Sequence, residues 1–120
     1  DMARRILVVG GEDGALALTD ASNGKLLYAI TGITGAITGF ALIPELAVAV
    51  VATARGQLYF WDLLGDRLLQ GLLAHREGIL NLRIDQRGRY LATSGKDGQV
   101  RLWETSWTAS LSMEAKRDLE

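Results

Sequence analysis

The chain repeats itself at a spacing of 42 residues, and no gap is needed to keep the register. Gly98 minus 42 is Gly56, and Gly56 minus 42 is Gly14. At the same offset Trp103 falls on Trp61 and then Thr19, Glu104 on Asp62 and then Asp20, and Val100 on Leu58 and then Leu16. Ile79 falls on Ile37, and the apolar run Tyr90 to Thr93 falls on Val48 to Val51 and then on Ile6 to Val9. Few residues are identical. What recurs is the apolar, turn and aromatic character of each position, while surface positions drift. A fixed period of this length is the mark of a repeat architecture, in which each unit hides its apolar face only against its neighbours.

The unit is clearest in Gly88 to Glu104, GRYLATSGKDGQVRLWE. Tyr90 to Thr93 and Val100 to Trp103 read as two short strands around the turn Gly95-Lys96-Asp97-Gly98, and Asp-Gly between two such runs is a strong hairpin signal. Upstream, Ile6 to Gly10, Ala15 to Thr19 and Lys25 to Ile30 read as strands, with turns at Gly11 to Gly14 and Ser22-Asn23-Gly24. Ile37 to Ile43 follows and Pro44-Glu45 turns it. Leu46 to Ala52, with valines at 48, 50 and 51, reads as a strand buried on both faces, with helix as the competing assignment. Gly56 to Asp62 and Arg67 to Leu73 complete that unit, and Thr105 to Leu111 is expected as an outer strand. Ser112 to Glu120 changes character: a Ser that can cap a helix, then helix formers with acids early, so a helix start or a frayed tail is expected.

His75-Arg76-Glu77-Gly78-Ile79, Leu82, Ile84, Gly88, Leu91-Ala92-Thr93, Asp97-Gly98 and Val100-Arg101-Leu102-Trp103-Glu104 together resemble a complete WD-repeat, with Glu104 where the terminal Asp is usual. The resemblance implies a β-propeller with four antiparallel strands per blade. It also implies a hydrogen-bonded tetrad within the blade, which maps onto His75, Thr93, Asp97 and Trp103. The middle repeat keeps only Trp61, with Ile33, Val51 and Arg55 at the other positions, and the first keeps only Asp13. The expected fold is therefore all-β, a partial propeller of about three four-stranded blades. Residues 1–32 form an incomplete first blade lacking its innermost strand, 33–74 a second, 75–111 a complete third, and 112–120 the tail or helix start.

The 120 residues cover just under three such units, and 48% hydrophobic content is enough for a core. Propellers typically close with about 4–8 blades, so an arc of three leaves two apolar faces open. The expectation is a piece of a longer protein, or closure with blades from the same or another chain. A formal net charge of −1, with both signs interspersed, gives no support for nucleic acid or an anionic membrane as partner. With no cysteine there is no disulfide and no thiolate chemistry. No apolar run approaches the length of a membrane span, and the opening residues lead directly into a strand rather than reading as a signal peptide. Cytosol is the default expectation.

The single histidine, His75, has no second His or Cys with which to form the usual zinc set, and no nucleophile beside it. The WD resemblance implies a structural role for it, between Asp97 and Thr93 beneath Trp103. The glycines at 10, 11 and 14, and at 32, 35 and 39, do not follow the dinucleotide-binding spacing. Asp62 with Asp66, and Asp85 with Asp97, are suited to turn hydrogen bonding. Gly14-Ala15-Leu16, Asp20 and Gly24-Lys25-Leu26 also look like a quinoprotein propeller repeat, which would imply an enzyme, but no residue is identified that would hold its quinone. No catalytic, cofactor or metal site is assigned. The WD resemblance implies a protein-protein interaction scaffold whose partners dock on the end bearing Gly78, Leu80 and Lys96, Thr38 and Ala54, and Glu12. The alternatives are a homo-oligomeric ring of such arcs and a quinoprotein-like enzyme fragment.

Overall fold

The computed structural model describes residues 6–10, 15–85, 87–106 and 112–119, the last as backbone alone. The chain runs as a succession of antiparallel meanders. The first sheet is β1 (Ile6–Gly10), β2 (Leu16–Asp20) and β3 (Leu26–Ile30). The second is β4 (Ile37–Ile43), β5 (Val48–Thr53), β6 (Gln57–Asp62) and β7 (Arg67–Leu73). The third is β8 (Ile79–Ile84), β9 (Tyr90–Gly95), β10 (Val100–Ser106) and β11 (Ser112–Leu119). Each sheet follows chain order, so these are propeller blades, and among the described residues the first has no strand corresponding to β4 and β8.

The spacing seen in the sequence is reproduced in backbone geometry. Ala54 N–H donates to Ala36 C=O at 2.8 Å, and 42 residues later Lys96 N–H donates to Gly78 C=O at 2.8 Å. Leu63 to Ala47 and Thr105 to Arg89 form the same kind of pair, both at 2.9 Å. Bulges recur too. The β4–β5 ladder skips Thr38 and the β8–β9 ladder skips Leu80, while the pairing of the third strand with the fourth shifts at Leu18/Thr19, Phe60/Trp61 and Leu102/Trp103. A bulge bends its strand and raises local twist, so its recurrence gives successive blades the same curvature.

Two cores lie between the three sheets, and β5 is divided between them. Val48, Val50 and Ala52 join Leu58 and Phe60 in the core shared with Ile79, Leu82, Leu91 and Trp103 of the third blade. Ala49 and Val51 join Leu16, Leu18, Ile30 and Ile33 on the side of the first blade. Side chains of a strand alternate faces, so burial on both faces requires an unbroken apolar run. All six residues of β5 are buried accordingly, as a strand and not a helix. The inner strands approach closely: a Cβ added at Gly39 would stand 3.4 Å from Ala52 Cβ and from Leu82 Cβ.

The C-terminal part differs from the sequence expectation. Thr105 and Ser106 extend β10, residues 107–111 lie outside the described set, and Ser112–Leu119 forms the outer strand in place of a helix or tail. Its backbone pairs along β10 from Ser106↔Ser112 to Val100↔Leu119. The helical preference of this segment is a weak local term. Pairing along the open edge of β10 satisfies its backbone groups in one step and wins.

Candidate functional site

His75 sits where the chain passes from β7 to β8, and the surrounding backbone fixes its position. Its N–H and that of Ala74 both donate to Gly56 C=O, at 3.1 and 2.8 Å. Both ring nitrogens are committed. Nδ1 lies 3.0 Å from Asp97 Oδ1, and Nε2 lies 2.7 Å from Thr93 Oγ1, which also accepts the Trp103 Nε1–H at 3.2 Å. Donors and acceptors match when the imidazole carries a proton on Nδ1 and the Thr93 hydroxyl serves both neighbours. Asp97 also accepts the backbone N–H of Arg76 at 3.1 Å and of Gln99 at 3.0 Å. Burial alone would raise the Asp97 pKa. The N–H groups of Gln99 and Arg76, followed by the hydrogen bond and charge of His75, outweigh it and lower the carboxyl from 3.8 to about 2.

The structure thus brings His75, Thr93, Asp97 and Trp103 into one chain of hydrogen bonds spanning the entry to β8, strand β9, the β9–β10 turn and strand β10. Its members face inward: His75 and Thr93 are each 1% exposed, and Trp103 is 7% exposed. Such an arrangement can clamp a blade, and its polar atoms are satisfied by one another. Gly95 completes it, because an added Cβ there would lie 2.6 Å from His75 Nδ1 and 2.8 Å from Asp97 Oδ1. Arg101 closes the lower side by donating from Nη1 to Ala74 C=O at 2.6 Å. Sequence reading took Gly95 only as a turn residue and passed over Arg101. The signal for Gly95 lay in the register, since the equivalent residue in the middle repeat is Thr53, where no histidine has to be accommodated.

In the second blade the equivalent positions are filled by another chemistry. Ile33 and Val51 are buried in one cluster, with Trp61 packed against it, and Arg55 is exposed. Thr53 takes over the turn, its Oγ1 accepting from Arg55 N–H and Gln57 N–H at 3.3 Å each. In the first blade Thr19 occupies the tryptophan position and donates to Leu7 C=O at 3.3 Å, while Asp13 lies outside the described residues. Asp62 and Asp85 cap turns: Asp62 accepts from Gly65 N–H at 3.1 Å, and Asp85 accepts from Arg89 N–H at 2.7 Å.

The docking-end residues divide. Leu80, the bulged residue of β8, is 58% exposed, and Thr38, Ala54 and Lys96 are exposed with it. Gly78 is buried beneath the Ala54 turn, where an added Cβ would meet Ala54 O at 2.8 Å, so it supports that end rather than forming its surface. Glu12 lies outside the described residues. Among the described residues no three His, Cys, Asp or Glu side chains form a potential metal set, and no helix is long and apolar enough to cross a membrane.

Similarity to known proteins agrees with this geometry. The pattern of the WD domain, G-beta repeat, matches residues 66–104. WD repeat-containing protein 46 of Homo sapiens is 29% identical over 103 residues, covering 86% of this chain and 17% of that protein. U3 small nucleolar RNA-associated protein 7 of Saccharomyces cerevisiae is 30% identical over 99 residues, covering 82% of this chain and 18% of that protein. Nuclear distribution protein PAC1 of Kluyveromyces lactis is 34% identical over 86 residues, covering 67% of this chain and 20% of that protein. The chain therefore spans about a fifth or less of the length of these relatives. With the repeat match, these relatives and the recurring meander blades, the chain belongs to the WD-repeat family.

Proposed function

We propose that this chain is part of a rigid, non-catalytic platform for protein-protein interaction. The observation that carries the reading is the inward commitment of His75 and Asp97. The blade's one histidine-carboxylate pair is spent on holding the fold, with side chains 0% exposed, while the loop end above it stays open. A family built of such blades makes a stiff support for surface loops, and binding residues are positioned well by a rigid scaffold. The test is crosslinking mass spectrometry on the protein in native extract, with and without Leu80→Asp. Crosslinks from Lys96 to another polypeptide, lost in the variant while its thermal melt is unchanged, support the platform. Crosslinks that are absent, or confined to the opposite loop end, count against it.

A second reading, that the first sheet is completed by a further blade from the same or another chain, is favoured by the register. Leu7 and Val9 occupy the positions of Ala49 and Val51, which are wholly buried, yet are 57% and 58% exposed themselves. Light scattering after size exclusion separates the two sources: a discrete oligomer means another copy supplies the cover. A folded monomer means it does not.

A further inference from the structure

We infer that the loop end of the second and third blades docks an acidic segment of a partner protein, a reading that deepens the platform function and rests on it. Three successive turns are stitched together there by backbone. Ala54 lies over Gly78, Gly78 C=O receives Lys96 N–H at 2.8 Å, and Arg76 N–H reaches Asp97 at 3.1 Å. Each turn presents one cation to solvent, namely Arg55, Arg76 and Lys96. The stem of Arg55 is laid across Gly35, where an added Cβ would stand 3.2 Å from Arg55 Cγ, so the side chain leans on the neighbouring loop.

Among the described residues of these two blades, the positive charge at this end outweighs the negative. Among the described residues none of the three cations has an ion pair. Asp97 is turned inward onto His75 and two backbone N–H groups, which leaves Glu77 as the exposed acid among these turns. At the other end the turns mix signs, with Glu45, Asp62, Asp66 and Asp85 beside Arg67, Arg87 and Arg89, and Asp62 lies 3.7 Å from Arg67. Among the described residues, the second and third blades are thus positive at one loop end and mixed in sign at the other.

The neighbouring surface selects the class of partner. The exposed, bulged Leu80 and the small residues Thr38 and Ala54 offer an apolar seat beside the cations. Single-stranded RNA is held largely by stacking bases on aromatic faces. The exposed Tyr90 lies at the opposite end, with Arg89 5.5 Å from its ring centroid, and the three cation-bearing turns contain no aromatic residue. Carboxylates flanking one aliphatic side chain fit the surface better than a nucleic acid does.

The experiment is fluorescence anisotropy on the purified protein with a rhodamine-labelled peptide of glutamates flanking one leucine. A glutamine version of that peptide and a short oligouridine serve as comparison probes. The glutamate peptide is expected to bind with salt-sensitive affinity. The combined variant Arg55→Gln, Arg76→Gln, Lys96→Gln is expected to weaken it by about tenfold or more. The opposite-end variant Arg87→Gln, Arg89→Gln is expected to leave it unchanged, and thermal melts should be unaltered in both because all five side chains are exposed. Equal binding of the glutamine peptide would overturn the charge selection and leave the platform intact. Tighter binding of oligouridine, lost in the combined variant, would replace the acidic segment with RNA. No affinity for the glutamate peptide would end this inference, while the crosslinking experiment judges the platform independently.

Discussion

Val50 and Val51 adjoin one another in β5 and are both wholly buried, yet they belong to different cores. Val50 packs in the core shared with the third blade, and Val51 packs in the core shared with the first. One strand thus couples three blades, because alternation sends its successive side chains to opposite faces.

Replacing each valine by alanine is expected to cost about 2 kcal/mol, from two lost methyl equivalents and the space they leave. The damage should be local in opposite directions. In hydrogen exchange, Val50→Ala is expected to speed exchange in β8 and β9, and Val51→Ala in β2 and β3. The same pattern from both variants would contradict the two-core description.

Thr93 Oγ1 joins His75 to Trp103. Thr93→Val keeps the shape and removes the hydroxyl, leaving two buried ring nitrogens without their partner. A loss of about 1–3 kcal/mol is expected in chemical denaturation. The equivalent middle-blade position already holds a valine, Val51, beside Ile33, so the cost arises from the stranded partners and not from valine itself.

The Asp97 carboxyl is lowered from 3.8 to about 2 in the folded chain. A depressed folded-state pKa contributes stability above the unfolded value and loses it as pH falls. The difference in thermal midpoint between the wild type and Asp97→Asn should therefore be constant above about pH 5, then shrink between pH 3.8 and about 2. A gap that persists unchanged to pH 2 would falsify the assignment of this carboxylate to the tetrad.

Gly56 and Gly98 occupy the same place in successive turns and both have positive φ, +84° and +82°. Gly98→Ala meets no atom within 4 Å and should cost only backbone strain, about 1–2 kcal/mol. Gly56→Ala would bring its Cβ to 2.1 Å of His75 O, a backbone atom that cannot swing aside, and should lower the midpoint further. Equal midpoints for the two variants would mean that the Gly56 turn is not seated against His75.

Building the tetrad into the second blade tests why it is absent there. The combination Ile33→His, Val51→Thr, Arg55→Asp should be less stable than the wild type, because Thr53 stands where Gly95 leaves room for the ring. Adding Thr53→Gly is expected to recover part of the loss, read as denaturation midpoint.

The sequence by itself determined the period and the strands from Ile6 to Trp103, and its resemblance to a WD-repeat implied the four tetrad positions. The period and the strands depend on spacing and on local turn and strand preferences, which a 42-residue offset exposes directly. Tertiary structure alone decided the rest. The segment 112–119 has helix-forming residues, and it became a strand because β10 offered an open edge. Gly95 became part of the tetrad only when His75, 20 residues before it, was folded against it. Arg55, Arg76 and Lys96 are scattered along a chain of nearly balanced charge. They come to one loop end because antiparallel meanders return every second turn to the same side of the molecule.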